Sequence, residues 1–177
     1  GSCGAMPGVM IAAAEVLRCD DGRLVEAMLA GGLVGIFFAD EATFSAEVAG
    51  CQAECGVGAA MAAAALVDLM GGPAKTAFDA ASIAMQNMLG LVCDPVAGRV
   101  EIPCWGRNVH AAVGAIAAAN MALAGCPAVI PLDEVVRTML SIGRSLPREL
   151  RCTALGGLSC TPTAKRLNPQ PGGLEFQ

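Results

Sequence analysis

From Asn108 to Leu132 the chain runs for 25 residues without an Asp, Glu, Lys or Arg. A stretch of that length and composition is either a membrane span or a helix kept inside a protein core. This one contains His110, Gly114, Asn120, Gly125 and Pro127, and much of the rest is alanine, which is only weakly lipophilic. These residues favour a buried central helix over a membrane helix. The composition agrees: hydrophobic residues make up 55% and charged residues 15% of the 177, which excludes disorder. Aromatic residues are only 3%, with no Tyr, so Ala, Val, Leu, Ile and Met must fill the interior. Small side chains let helices approach closely, and the expected fold is all-α, a compact bundle of about six helices with small-residue packing.

The chain length implies one domain large enough to bury a core. The helical reading places helices near 8–18, 22–39, 51–71, 74–91, 104–124 and 132–144. Asp20-Asp21-Gly22 separates the first two, and Gly71-Gly72-Pro73 ends the third and sets Pro at the start of the fourth. Gly125-Cys126-Pro127 ends the fifth, and Pro131-Leu132-Asp133-Glu134 opens the sixth with acidic residues at its positive end. Residues 1–8 read as a Gly-rich loop, and residues 92–103, with Pro95 and Pro103, as a stiff loop or short strand. Residues 1–167 are expected to form the domain and 168–177 a flexible tail. The abrupt start at Gly1-Ser2-Cys3-Gly4 reads as the middle of a functional loop, so the domain is expected to be incomplete at its N-terminal side.

The net charge is −5. An acidic chain with few aromatics lacks both the basic footprint and the stacking platforms of a nucleic-acid binder, and no membrane partner is expected. Nine cysteines is an odd number and below the density of a disulfide scaffold. Several lie in Ala-rich helical stretches, which favours reduced thiols, a cytoplasmic setting and some thiols free for metal.

Cys51 follows Gly50 and opens a helix, Cys93 lies just past one, and Cys104 follows Pro103 and opens the next. The positive end of a helix dipole favours thiolate, and thiolates are what iron–sulfur clusters bind. Any one of these cysteines taken alone reads first as a small buried hydrophobe; three of them at helix ends beside Gly and Pro shift that balance toward metal. The separations of 42 and 11 residues fit neither a zinc finger nor a ferredoxin run. Cys51 and Cys55, four apart, could also hold a metal on one helix face. His110, on an apolar helix, reads as a core histidine rather than a base.

The segments Gly50-Cys51-Gln52-Ala53-Glu54, Leu89-Gly90-Leu91-Val92-Cys93-Asp94-Pro95-Val96-Ala97-Gly98, and Val100-Glu101-Ile102-Pro103-Cys104 with Arg107-Asn108 closely resemble the alpha part of the iron–sulfur-dependent L-serine dehydratases (L-serine ammonia-lyases). Gly1-Ser2-Cys3-Gly4 with Pro7-Gly8 resembles that family's glycine loop, and Gly156-Gly157-Leu158 its C-terminal end. The resemblance implies a [4Fe-4S] cluster on Cys51, Cys93 and Cys104, with the fourth iron left for L-serine, and deamination to pyruvate and ammonia without pyridoxal phosphate. No motif contains either lysine, Lys75 or Lys165, which also disfavours a pyridoxal Schiff base. It further implies a beta part that completes the active site, homo- or hetero-oligomeric assembly, and no turnover by this chain alone.

Asp94, Arg107 and Asn108 are the candidate catalytic residues. They either bond to cluster sulfurs or substrate, or else Asp94 caps a turn and Arg107 makes a surface pair. Ser2, Cys3 and Gly4 are candidates for binding the substrate carboxylate through backbone N–H groups. Gln52 and Glu54 either orient the cluster loop or cap a helix. Cys55, Cys152 and Glu41 depart from the expected pattern and leave substrate choice open. Two alternatives follow: an L-cysteine desulfidase using the same cluster, or a non-catalytic iron–sulfur or zinc structural module.

Overall fold

A computed structural model describes residues 2–167, with side chains from Gly4 onward. Among the described residues, eight α-helices are joined by turns: α1 Ser2–Leu17, α2 Asp21–Glu41, α3 Ala46–Ala49, α4 Cys55–Leu69, α5 Ala74–Gln86, α6 Glu101–Leu123, α7 Leu132–Ser145 and α8 Pro162–Leu167. Among the described residues there is no strand longer than an isolated bridge. The all-α expectation holds.

The centre of the bundle is α4, which packs against α1, α2, α5 and α6. Thirteen of its fifteen residues are buried, and most are Ala, Gly or Val. Side chains this small add little area each, so α4 contributes mainly by letting its neighbours come close. A Cβ placed on Gly31 of α2 would lie 2.7 Å from the carbonyl oxygen of Met61, and one on Gly56 would lie 2.8 Å from the methyl of Met85. The larger buried side chains, Met10, Phe38, Met85 and Met139, fill the spaces around this axis.

The uncharged run does not supply the central helix. It forms most of α6, in which only the stripe Cys104, Ala111, Ala115, Ala118, Ala119 and Ala122 is buried. Val109, Val113 and Ile116 face outward. Here the small residues point in and the large apolar ones out, a pattern that mean hydropathy conceals. Among the described residues, α2 and the stretch Cys51–Leu69 are long and apolar enough to cross a membrane; the second is 83% buried in the bundle and α2 28%.

Local signals explain the boundaries elsewhere. Asp20 caps α2 by accepting the Arg23 N–H at 2.9 Å. In α7, the buried residues Leu132, Val135, Val136, Met139 and Gly143 recur at helical spacing, and Asp133, Glu134 and Arg144 complement the dipole. The expected helix 51–71 instead begins with a 3₁₀ turn at Cys51–Ala53 before α4 starts at Cys55. The expected helix 74–91 stops at Gln86. Residues 2–8 are not a loop: α1 begins at Ser2 and carries Pro7 within it. The proposed tail at 168–177 lies outside the described residues.

Candidate metal centre

Three connections bring the cysteines together. The first is the turn leading to Cys51. Gly50 has φ of +75°, and a Cβ there would sit 2.7 Å from the Leu91 carbonyl oxygen, so only glycine fits. Gln52, fully buried, fixes the turn: its Nε2 donates to the carbonyls of Ala49 (2.9 Å) and Met139 (3.0 Å), and its Oε1 accepts the Gly90 N–H (2.8 Å). Of the two roles open to Gln52, orienting the loop is the observed one.

The second is the segment carrying Cys93. Its N–H donates to Leu150 O and its C=O accepts from Cys152 N, both at 2.8 Å, forming a parallel bridge with Arg151. The third is the turn at Val96–Arg99, where Ala97 and Gly98 both have positive φ, followed by the non-helical Ile102. This turn carries the chain into α6, one residue short of Pro103-Cys104.

The result is a buried trio. The Cys51 and Cys104 Sγ atoms are 3.4 Å apart, and one sulfur from each of Cys51, Cys93 and Cys104 lies within 4.8 Å of the others. Cys51 is held far below the usual thiol range by the thiols of Cys55 and Cys93, then Cys104 and the Arg107 guanidinium, against the cost of burial. The Cys51 thiolate and burial push Cys55 and Cys93 up, and burial, then Cys51, pushes Cys104 up to about 12. A set of thiols that shares one negative charge this way is a ready acceptor for a thiophilic cation.

Buried Asp94 and partly buried Arg107 form an ion pair at 2.8 Å. Arg107 also donates to Val92 O (2.9 Å) and points Nη1 at Cys51 Sγ (3.8 Å). Asp94 also accepts the Leu158 N–H at 2.8 Å. The pair is therefore neither a turn cap nor a surface contact; it ties the sulfur of Cys51 to the C-terminal segment. Asn108 donates to Cys104 O at 2.8 Å and keeps a buried, unpartnered Oδ1.

His110 is exposed rather than in the core, and lines a cleft with Leu89, Gly90, Gly106 and Arg107. Gly4 lies in the first turn of α1 beside Trp105 and Asn108, in a cleft of about 280 Å³. The side chains of Ser2 and Cys3 lie outside the described residues. Trp105 also borders a second cleft of about 520 Å³ that Cys104 shares with Glu54 and Glu101. Glu54 caps nothing with its side chain; burial, then the charges of Cys51 and Glu47, pushes its carboxyl upward. Its place in this cleft joins residues 50 apart in sequence, which no local signal reveals.

A profile of the family described as serine dehydratase alpha chain matches residues 1–159. The chain is 45% identical over 167 residues to the probable L-serine dehydratase, alpha chain, of Bacillus subtilis (strain 168), covering 94% of this chain and 56% of that protein. The chain belongs to the serine dehydratase alpha chain family. It is also 45% identical over 176 residues to the probable L-serine dehydratase, alpha chain, of Latilactobacillus sakei, covering 99% of this chain and 84% of that protein. With the L-serine dehydratase, alpha chain, of Peptoniphilus asaccharolyticus the identity is 44% over 167 residues, 94% of this chain and 57% of that one. The chain thus spans a little over half the length of two of these three alpha chains. The donor set of this alpha chain fits a metal group bound by thiolates: three buried sulfurs converge, a guanidinium offsets their charge, and an acidic cleft opens beside Cys104.

Proposed function

We propose that the chain is the cluster-holding part of an L-serine ammonia-lyase, a carbon–nitrogen lyase that converts L-serine to pyruvate and ammonia. The observation that carries this reading is the convergence of Cys51, Cys93 and Cys104 in a chain so similar to proteins named L-serine dehydratase. Cys51, Cys93 and Cys104 would hold a [4Fe-4S] cluster. Bound through three cysteines only, such a cluster supplies one iron with an open position, a Lewis acid suited to a hydroxyl leaving group.

The chain's own residues divide the remaining work. Arg107 neutralises and orients the Cys51 sulfur, and Asp94 holds Arg107 in place. Glu54, half-buried beside Cys104 with its carboxyl pushed upward, is suited to accept the α-proton of the substrate. Gly4 and Asn108 border the adjoining cleft, where a small substrate's amino-acid end can be received.

The word "alpha" in the relatives' names supports a beta part that completes the enzyme, and turnover is expected only with it. The eight described cysteines are all free thiols, which supports a reducing, cytoplasmic setting. Residues 1–167 would act as one domain in a larger assembly.

One observation favours a second reading. Thiolates 2.3 Å from one zinc ion would lie about 3.8 Å apart, close to the 3.4 Å between Cys51 and Cys104. A single ion in a structural site is the competing occupant. Anaerobic reconstitution with iron and sulfide, followed by electron paramagnetic resonance with and without L-serine, separates the two. A cluster signal that shifts on adding serine, with the beta part present, is expected. Zinc uptake without iron uptake overturns the lyase reading. A shift with L-cysteine but not L-serine reassigns the chain to sulfide elimination.

A further inference from the structure

Two thiols stand beside the trio without belonging to it. Cys55 follows Cys51 by one helical turn and interacts with its sulfur. Cys152 comes from 59 residues beyond Cys93, and its thiol interacts with that of Cys93. The backbone sets up this second contact. The bridge between Cys93 and Arg151 lays the two segments side by side, with Cys152 N donating to Cys93 O. Along a regular strand the side chain after a bridged residue points to the opposite face. Cys152 instead has φ of +63°, a left-handed conformation that non-glycine residues seldom adopt. Cys152 therefore departs from that alternation, and its thiol stands beside that of Cys93.

The two thiols differ in access. Cys93 is 1% exposed, whereas Cys152 is only partly buried. A reagent in solution therefore reaches Cys152 first, and Cys93 lies within reach of whatever forms there. Disulfides need neighbouring Cα atoms and little backbone movement, which the two backbone hydrogen bonds at Cys93 provide.

We propose that Cys152 is a thiol-exchange site that closes a disulfide with Cys93 when the trio holds no metal. The oxidant is a low-molecular-weight disulfide, RSSR. The Cys152 sulfur attacks one sulfur of RSSR, forming a mixed disulfide and releasing RS⁻, which takes up the thiol proton. The Cys93 sulfur then attacks the Cys152 sulfur, forming the internal disulfide and releasing the second RSH. Two protein thiols lose one electron and one proton each, and RSSR is reduced to two RSH. The closed form leaves Cys51 and Cys104 as the only free members of the trio, so it cannot take the metal group until a thiol reduces it.

This last consequence rests on the cluster reading; the linkage itself does not. The full chain, stripped of metal and freed of reductant, is treated with oxidised glutathione, alkylated, digested and mapped by mass spectrometry. A Cys93–Cys152 linked peptide is expected as the main product, with loss of iron uptake that dithiothreitol restores. Cys152→Ser is expected to give no linkage and to keep its iron uptake through the same treatment, while Cys55→Ser behaves like the parent chain. A Cys51–Cys104 linkage, or glutathione retained on Cys152 with Cys93 free, overturns the proposal, and the parent map alone decides this if Cys152→Ser does not fold. A fully reduced chain that takes up no iron defeats the cluster reading and leaves the linkage result standing.

Discussion

The bundle around α4 and the seam between residues 92–104 and 150–160 are held by opposite means. Around α4, close approach of small apolar residues does the holding, and among the described residues the helix has almost no polar contact with its neighbours beyond Arg23 reaching Asp68. In the seam, each piece is fixed by a named polar bond: Asp94 with Arg107, Leu158 N–H to Asp94, Ser159 Oγ to Pro95 O at 2.6 Å, and the Cys93 ladder. Dispersed packing tolerates modest change at most single positions. A polar seam is only as good as its least replaceable member, and here the trio of thiols hangs on it.

Breaking the seam at its centre should have the largest effect. Asp94→Ala leaves the partly buried Arg107 with only Val92 O and the Cys51 sulfur and frees the Leu158 N–H, so a loss of about 2–3 kcal/mol is expected in urea unfolding. Lost iron binding should accompany it; a stability within error of the parent would show that the seam is not held by this pair. The next effect concerns pH. Cys55, Cys93 and Cys104 are pushed upward and therefore carry their protons at neutral pH in the metal-free chain. Metal must displace protons from Cys93 and Cys104, so affinity should rise with pH, by up to about tenfold per pH unit for each proton released. Competition with a chelator between mildly acidic and mildly alkaline pH measures the slope, and a flat profile contradicts it.

The close packing of α7 on α3 offers a smaller effect. Gly143 of α7 faces Ala49 so closely that a new Cβ would lie 2.3 Å from that alanine's Cβ. Gly143→Ala should cost about 1–3 kcal/mol as overpacking, read as a lowered melting temperature without loss of the seam's hydrogen bonds. Gln52→Leu, which removes the bridge between the two regions, should cost a similar ~1–3 kcal/mol by leaving buried backbone groups unpaired; of the two variants, Gln52→Leu should weaken metal binding the more. The smallest change is expected at the surface. Lys75 pairs with Asp79 at 2.7 Å in full view of solvent, and Lys75→Ala should shift stability by no more than ~0.5 kcal/mol.

How legible each region was in the sequence follows from the same contrast. The helix α7 announces itself by apolar spacing and end charges, and α2 by its Asp20 cap, because both signals are local. Gly50 and Pro103 mark the turns that deliver Cys51 and Cys104, but they left each cysteine readable as a buried hydrophobe; the trio became legible through the resemblance of the motifs around Cys51, Cys93 and Cys104. The burial of α6 was misjudged for a physical reason: alanine and valine count alike as apolar, yet here alanines pack inward and Val109, Val113 and Ile116 do not. The pairing of Asp94 with Arg107, the exposure of His110, and the meeting of Cys93 with Cys152 depend on how the turn at Ala97-Gly98 and the 150–160 segment fold back. No periodicity encodes those contacts.

Gln52 joins α3 through Ala49, the 87–91 turn through Gly90 and α7 through Met139. It is the residue next to Cys51, so a rotation or slide of α7 is transmitted through one rigid amide to the base of a metal-binding sulfur. Substitutions along the outer surface of α7, none of them near a cysteine, should therefore register as changes in the metal centre's spectrum, and a molecule that grips α7 would have a mechanical handle on the chemistry at the opposite side of the turn.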